Sequence, residues 1–480
     1  NTNELSEIKG NQVTVIATKG NIENIGGKIK GIESVVLSAE NGDIINSSSK
    51  SQSKEYYGSR NNTEHESILS VGSIESEGTT YIEGKNYISE AGIVTGKNTI
   101  IDAKENITIG SITLTGQDKS GISDDNYMTY NSTRKVGSEV SGTDSVILNA
   151  GNNINVKGSM VASDGVVQMT AENINIVNEK ESVKRDKKST DDGFMSSHSI
   201  EEKSYQEGAV GSTIVGNNVI LDAKNDINVK ASNVIALKDQ ENMGGNIIAT
   251  AGNNINILAD TLDNSYSRKE KSSGFSTNFS ADGGGLTAGV SYNKNSLEQT
   301  SNGTTVAVST LMSEGSTLLD AGNKIRTEAM QANIGEDLII KGKNGVELLD
   351  AKETYEEKTK QSSSSIGVTA SLSSTVTSFV DTASNMYNNK DKYGTDNASQ
   401  MINSAGDGFT LFRGGVSAFN DGQAIYDSLV SGIHPANPLA GISASVSLSV
   451  SKNSFESNTS GTKSIAGNIN VGGNMIVESE

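Results

Sequence analysis

The chain has 480 residues, a formal net charge of −19 and no cysteine. The acidic balance argues against a nucleic-acid partner, whose phosphates need a basic face, and the missing thiols exclude disulfides and thiolate metal sites. Apolar residues make up 34% and aromatic residues 4%, which is low for a compact globule. No apolar stretch approaches membrane-spanning length. Residue 1 is not Met and no signal peptide is recognisable, so we expect an internal fragment of a longer protein.

One phrase recurs along the chain: a short apolar-alternating run, an Ala, a polar bend centred on Asn or Gly, and a closing Ile-x-Ile or Ile-x-Val. Copies occur at 100–109, 146–156, 166–176, 219–229, 251–257 and 318–325. Alternation with period 2 predicts strands. A repeating unit that cannot bury its own apolar face must stack on its neighbours, which predicts a solenoid.

The spacing of the copies indicates the kind of solenoid. Ala150 and Ala171 are 21 residues apart, which suits one coil of a parallel β-helix with coils about 4.8 Å apart. We therefore predict an all-β, right-handed parallel β-helix over 1–350. Asn should stack on Asn at the bends, and Ile on Ile inside.

Polar, charged segments interrupt the repeated motif near 46–67, 116–141, 178–208 and 264–303. We predict that each is a β-hairpin that protrudes from a coil. The clearest case has an alternating run from Phe275, a turn at 282–285 and an alternating return from Leu286.

The longest interruption of the repeated motif, at 351–460, is predicted to be a long hairpin that carries a small helical insert at about 375–440. The β-helix is predicted to resume at 461–480. The apolar residues of the insert fall at helical spacing, and both prolines of the chain lie in it. Its apolar stripe is the candidate partner-binding segment. The candidate residues are Phe379, Val380, Met386 and Tyr387.

The copies at 150–156 and 251–257 resemble the haemagglutinin repeats of filamentous haemagglutinin and of the large exoproteins of contact-dependent growth inhibition. Returns into Gly-Ser-Thr or Gly-Thr, at Gly211, Gly315 and Gly461, are also similar to that family. The resemblance implies a two-partner secretion exoprotein, exported through an outer-membrane transporter and displayed on the bacterial surface. Such a filament adheres to a receptor or glycan of a host or target cell, or holds a toxic domain away from the cell. No functional residue is carried over.

The histidines give no catalytic or metal-binding pattern. His65, His198 and His434 are far apart in the chain, and we interpret them as solvated loop residues. Asp191 and Asp192 are interpreted as the end of a charged hairpin tip rather than as an acid–base pair.

A carboxylate recurs at one repeat position, as in Asp102 and Asp222, but Asn149 and Thr170 occupy that position elsewhere. A substitutable polar position is typical of a solvent-facing strand residue. We therefore predict no catalytic residue, no cofactor and no metal, and a structural or adhesive stalk. Two alternatives stay open: a β-helical carbohydrate-active enzyme, and a helical insert that engages a receptor or a membrane.

Overall fold

In the computed structural model, every regular element of the described residues is a β-strand, which confirms the all-β class. The structure describes residues 6–193, 196–273, 275–282, 285–292, 295–362, 369–373, 441–445 and 454–480. Over these ranges there is no helix. The helical insert predicted at 375–440, and with it Phe379, Val380, Met386 and Tyr387, lies outside the described residues.

Twenty-six strands form one large sheet, called the stack below. Their bounds are Glu7–Ala17, Ile22–Ile25, Lys28–Ala39, Ile44–Ser47, Ser73–Ser76, Thr79–Glu90, Ile93–Gly110, Glu139–Ala150, Asn153–Lys157, Met160–Ser163, Val166–Ala171, Asn173–Val177, Thr213–Gly216, Asn218–Ala223, Ile227–Lys230, Asn233–Ala236, Asn246–Ala251, Ile255–Leu258, Thr310–Ser313, Thr317–Ala321, Ile325–Glu328, Gln331–Ile334, Leu338–Gly342, Val346–Leu349, Asn468–Val471 and Met475–Glu478.

Each repeat of the stack contributes three strand segments, except the repeat at 468–478, which contributes two, and equivalent segments of successive repeats pair in parallel. In the repeat at 160–177, for example, Val161 pairs with Val140 of the preceding repeat and with Ile214 of the following one. The repeats of the stack span 7–25, 28–47, 73–90, 93–110, 139–157, 160–177, 213–230, 233–258, 310–328, 331–349 and 468–478.

The core lies between the three segments of each repeat. Leu148 and Met169 of the second segments and Ile154 and Ile174 of the third are fully buried and stack in register. Alternate residues face outward, so period 2 in the sequence becomes an inner apolar row and an outer row. Burial of each large aliphatic side chain contributes roughly 1.5–3 kcal/mol.

Asn side chains form a ladder at the bend between the second and third segments, as predicted. At six steps of the ladder the amide of one Asn donates to the side-chain oxygen of the Asn one repeat earlier, whereas the Asn86 amide donates to Asp43 at 2.9 Å and the Asn254 amide to Asp226 at 3.1 Å. The donor–acceptor distances are 3.0 Å for Asn106 to Asn86, 2.8 Å for Asn153 to Asn106, 3.1 Å for Asn173 to Asn153, 2.8 Å for Asn225 to Asn173, 2.9 Å for Asn323 to Asn254 and 2.9 Å for Asn344 to Asn323.

Ten further strands form five antiparallel hairpins. They are hairpin 1 (Ser49–Tyr56 and Asn62–Ser70), hairpin 2 (Ile112–Ser123 and Asn126–Val136), hairpin 3 (Glu179–Gly193 and Ser196–Val210), hairpin 4 (Asp260–Ser273 and Asn295–Ala307) and hairpin 5 (Ala351–Ser362 and Phe455–Ile465). Within the span of hairpin 4, Phe275–Asp282 pairs with Gly285–Tyr292; within that of hairpin 5, Thr369–Ser373 pairs with Gly441–Ser445.

The hairpins leave the stack at one corner and with one period. Each lies between the third segment of one repeat and the first segment of the next, and two repeats separate consecutive hairpins, as 73–90 and 93–110 separate hairpins 1 and 2. The intervening repeats turn the same corner through one residue with positive φ. These residues and their φ angles are Gly26 at 65°, Ala91 at 52°, Gly158 at 54°, Ala231 at 43° and Ala329 at 48°.

With one hairpin for every two repeats, the rise of two repeats equals the width of one hairpin. Two repeats rise by about 9.6 Å, since each adds one strand spacing of about 4.8 Å, and the two strands of a hairpin also need about 9.6 Å. One hairpin for every two repeats therefore fills the side of the stack without gaps. Although the copies of the repeated motif are unevenly spaced in the sequence, two repeats and one hairpin alternate regularly in the structure.

Candidate functional site: the lateral sheet

The five hairpins join edge to edge into one ten-stranded antiparallel sheet, called the lateral sheet below. The hairpins follow one another in chain order, so hairpin 2 pairs with hairpins 1 and 3, and hairpin 4 with hairpins 3 and 5. Neighbouring strands pair from His65 with Gly116, from Thr133 with Ser182, from Gln206 with Asn264 and from Thr304 with Thr354. This second sheet was not predicted from the sequence, because pairing between separate hairpins leaves no local pattern.

Small apolar clusters anchor the hairpin roots to the corner of the stack. Ala231 packs with Leu262 and Ala307 of hairpin 4, and Ala329 packs with Val306 and Ala351. A left-handed backbone costs an Ala residue about 1–2 kcal/mol. The buried methyl group offsets part of that cost, because it fills the space beneath the hairpin roots.

A buried serine ladder follows the same corner. The backbone N–H groups of Ser138, Ser159, Ser212 and Ser232 each donate to the side-chain oxygen of the next serine in the ladder, the last being Ser309, at 3.0–3.3 Å. The hydroxyls thus satisfy the buried backbone donors of Ser159, Ser212 and Ser232, while the Ser138 N–H also donates to the Gly110 carbonyl at 3.1 Å.

This ladder corrects the interpretation of the Gly-Ser-Thr returns. Gly211 does lead into Ser212 at the return of hairpin 3, but Gly315 follows a first segment inside a repeat, and Gly461 lies within a strand of hairpin 5. The return of hairpin 4 is marked instead by Ser309.

Charged side chains alternate in sign across one face of the lateral sheet. A single row of paired residues crosses six strands of hairpins 3, 4 and 5, and it reads Lys188, Glu201, Lys269, Glu298, Lys360 and Glu456. The Lys269 and Glu298 charges are 3.0 Å apart, and those of Lys360 and Glu456 are 3.1 Å apart. Each pair is solvated and contributes little alone, but the alternation favours this register and this order of hairpins.

The opposite face carries a more buried charge cluster between hairpins 3 and 4. Arg268 lies 3.2 Å from Glu202 and 2.8 Å from Glu270, and the Glu270 carboxylate also contacts His198 at 3.0 Å. Burial alone would raise the pKa of Glu270, but hydrogen bonds from His198 and Arg268 outweigh it and hold that pKa below its ordinary value. The carboxylate therefore joins two hairpins as a charged group.

Hairpins 2 and 3 share a drier polar contact on that same face, nearer the stack. Burial lowers the pKa of Arg134. Burial also raises the pKa of Glu181, against the backbone hydrogen bond from Lys135 and the charge of Arg134. Both shifts have the sign expected of charges removed from water, so this part of the lateral sheet is sheltered from solvent.

The two histidines in the described ranges are strand residues, not loop residues, which corrects the sequence interpretation. His65 of hairpin 1 contacts Asp118 of hairpin 2 at 2.8 Å, in the same arrangement that His198 makes with Glu270. Each therefore bridges neighbouring hairpins. His434 lies outside the described residues. Asp191 and Asp192 pair across hairpin 3 next to its tip, as predicted.

The recurring carboxylate position forms an outward row of the stack. Asp102 and Thr170 lie on either side of Asn149 in register, and the Asn149 amide donates to Asp102 at 2.7 Å. A shallow depression of about 270 Å³ lies here, lined by Glu83, Asp102, Asn149 and neighbouring residues. Burial and a hydrogen bond to Asp102 raise the pKa of Tyr81 to about 12. The row brings carboxylates, an amide and a hydroxyl together, but no histidine or arginine lines the depression.

Metal-binding clusters and membrane-spanning helices are both absent from the described ranges. No group of three or more histidine or acidic side chains there is arranged to hold a metal ion. No helix in the same ranges is long and apolar enough to cross a membrane.

Comparison with known proteins identifies the class. The family model described as hemagglutinin repeat matches residues 119–192, 192–323 and 290–411, more than half of the chain. The chain belongs to this family and is a repeat region of the filamentous-haemagglutinin type. These matches cover hairpins 3 and 4 and the repeats between them.

A search of curated proteins gives a particular relative. The chain is 27% identical over 423 residues to tRNA nuclease CdiA-2 of Burkholderia pseudomallei strain 1026b. The match covers 82% of this chain but 13% of that protein, so the chain corresponds to a small part of it. No solved structure gives a significant match.

Proposed function

We propose that this chain is a non-enzymatic stalk segment of a secreted, surface-displayed filamentous exoprotein, an adhesin or a toxin-delivery protein of contact-dependent inhibition. The observation that carries the proposal is the match between repeat rise and hairpin width. A fold that adds two repeats and one hairpin at a time grows in length without a thicker core. Membership of the hemagglutinin-repeat family supports the same role.

The closure of the stack into a solenoid and its handedness are also part of this proposal. Ten of the eleven repeats pair in parallel through three segments, which is what a closed solenoid requires, and parallel crossover connections are right-handed in the great majority of sheets. We therefore propose a right-handed parallel β-helix. Repeats at about 4.8 Å each give a rod about 50 Å long for this chain. Electron microscopy of the purified chain should show such particles, and a compact globular particle would contradict it.

Export through a two-partner outer-membrane transporter and display on the bacterial surface are part of the proposal, because they come from the family and from a relative of which the chain covers 13%. The test is an epitope inserted at the turn of hairpin 1, near Asn61, in the full-length protein. Antibody should label intact cells that have the transporter and not cells that lack it. Equal labelling of both would reject this export route.

The segment should act by length rather than by a local binding site. Deletion of Glu139–Ser212 removes two repeats and hairpin 3 and joins Ser138 to Thr213, at an equivalent register position. The shortened protein should keep adhesion or target-cell inhibition. Complete loss of function with normal surface display would show that a specific site lies in the deleted segment.

The enzyme alternative rests on the depression beside Asp102. We propose no catalysis there, because the row position also accepts Asn and Thr, as Asn149 and Thr170 show. A screen of polysaccharides should give no cleavage. Turnover by the wild-type chain that disappears in Asp102→Asn would establish the enzyme instead.

A receptor or membrane role of the insert at 375–440 is kept as a separate hypothesis, and its residues lie outside the described ranges. Removal of 375–440 from the full-length protein should leave surface display unchanged. Unchanged binding to target cells would reject the insert as the engaging module.

A further inference from the structure

In many repeats, the second segment carries an aliphatic residue that faces outward, in addition to those that face the core. In Val146-Ile147-Leu148, period 2 turns the first and third side chains inward, and both are fully buried. Ile147 must then face outward, where it is half-buried. The same pattern places Ile220 between buried Val219 and Leu221. An apolar residue at a solvent position in repeat after repeat needs an explanation beyond the core.

These outward residues align into one continuous row, called the outer stripe below. Successive members pair in register through ten repeats, and eight of the ten are aliphatic. The members are Val36, Tyr81, Ile100, Ile147, Gln168, Ile220, Ile248, Leu318, Ile339 and Ile476. Ile248, in the middle of the stack, is 40% exposed.

The rows on either side of the outer stripe are polar and differ in charge. Two residues after the stripe lies a row with five carboxylates and one lysine, namely Glu83, Asp102, Asp222, Asp320, Lys341 and Glu478. Two residues before it lies a row mainly of hydroxyls and amides, among them Ser34, Thr79, Asn98, Ser145 and Asn218, with one carboxylate, Asp337. An apolar centre between polar margins is the usual anatomy of a protein–protein interface.

The lateral sheet leaves this face uncovered. All five hairpins depart between the third and first segments, so none interrupts the second segments. The one longer connection next to this face, at 237–245, joins the first and second segments of a single repeat at its margin.

We propose that the second-segment face binds the same face of a second copy of this chain, so that two stacks lie side by side. Ten strands about 4.8 Å apart and about 17 Å long give a face of roughly 700–800 Å². Two such faces bury about 1,500 Å², the size of a standard stable interface. A second copy also has the same strand spacing, so each of the eight aliphatic residues of the stripe can meet an aliphatic residue of the other copy.

The charges select the direction of the pairing. If both stacks run in the same direction, a two-fold axis along the stack places each carboxylate row against the partner's row of hydroxyls and amides, which can donate hydrogen bonds. If the stacks run in opposite directions, carboxylate row faces carboxylate row, which is repulsive. The proposed dimer is therefore parallel, and each residue of the outer stripe faces its own counterpart.

The test is the oligomeric state of the whole chain by sedimentation equilibrium. Wild-type chain should dimerise, and Ile220→Thr with Ile248→Thr should weaken the dimer at least about tenfold, because apolar contact is replaced by hydroxyls. Thr is β-branched and keeps strand propensity, so the far-UV circular dichroism should stay unchanged. Val215→Thr with Met312→Thr, on the outward row of the first segments, is the matched control and should leave the dimer intact.

A wild-type chain that stays monomeric at about 100 μM overturns the proposal. So does a dimer that both double variants weaken equally, and so does a monomer whose outer stripe binds lipid vesicles or a polysaccharide instead.

Spin labels test the direction separately. The chain has no native cysteine, so Ser38→Cys and Lys341→Cys each give one label, at the margin of the face and near opposite ends of the stack. Both should give short distances of about 20–25 Å between copies, for faces packed about 10 Å apart. Long distances for both labels would show antiparallel stacks and overturn the proposed orientation.

Discussion

The stack and the lateral sheet are both β-structure, but different side chains hold them together. The stack buries aliphatic rows such as Leu148 and Ile154, whereas the lateral sheet is joined by backbone pairing and by charged contacts such as Lys269 with Glu298. Salt screens solvated ion pairs and weakens them, whereas it does not weaken apolar burial in this way. The comparison therefore predicts that changes in salt and pH affect the stability of the lateral sheet more than that of the stack.

The largest difference should appear on truncation of one leucine in each region. Leu148→Ala, in the core of the stack, should lower the free energy of unfolding by about 2–5 kcal/mol, because it leaves a cavity among packed side chains. Leu297→Ala, on the half-buried surface of hairpin 4, should cost less than about 1 kcal/mol. Urea denaturation of both variants measures the costs; similar values would mean that the lateral sheet has a core of its own.

Charge reversal in the alternating row should have an intermediate effect. In Lys269→Glu the new carboxylate meets Glu201 and Glu298 in the neighbouring strands, which should cost roughly 1 kcal/mol at low salt. Lys271→Glu, on the same strand and face but flanked by serines, is the matched control and should have no measurable effect. Hydrogen exchange of hairpins 3 and 4 reports the loss.

The salt dependence sharpens this result. In 1 M salt the Debye length is about 3 Å, so the penalty of Lys269→Glu should shrink towards that of the control. A penalty that persists in high salt would mean that Lys269 acts through packing and not through charge.

Acid should produce the smallest effect, confined to the lateral sheet. The pKa of Glu270 is held below its usual 4.5 in the folded chain. A carboxyl group with a depressed folded pKa stabilises the fold above its unfolded pKa, and this stabilisation is lost as the pH falls through the folded value. The hydrogen-exchange protection factors between hairpins 3 and 4 should therefore fall below about pH 4.5, while the protection factors of the aliphatic rows stay unchanged. Glu270→Gln should remove part of this pH dependence; an identical profile would show that other groups cause it.

The sequence predicted the stack better than the lateral sheet, for a physical reason. Period 2 and the recurring Ala and Asn are local signals, so the Asn ladder could be predicted from the copies at 150–156 and 251–257. The pairing of Lys188 with Glu201 and of Glu201 with Lys269 joins distant parts of the chain, and no local pattern specifies it. One signal was available: both Ala150 and Ala171 lie between two excursions, which already marks two repeats for each hairpin.

The outer stripe is hard to predict from the sequence for another reason. An Ile in an apolar run looks like a core residue, and only the register of the structure shows that Ile147 and Ile220 face outward. Strict counting of period 2 through Val146-Ile147-Leu148 would have separated them from the core.

Hydrogen exchange of one matched pair of deletions tests the central claim, that repeat rise and hairpin width must match. Deletion of Glu139–Ser159 joins Ser138 to Met160 at an equivalent register position and leaves one repeat between hairpins 2 and 3. The control deletion, Glu139–Ser212, keeps two repeats between the remaining hairpins 2 and 4. We predict that the stack stays protected in both, and that only the first deletion exposes the backbone of hairpins 2 and 3, which then have about 4.8 Å of rise for strands that need about 9.6 Å. Equal protection of the lateral sheet in both deletions would contradict the account.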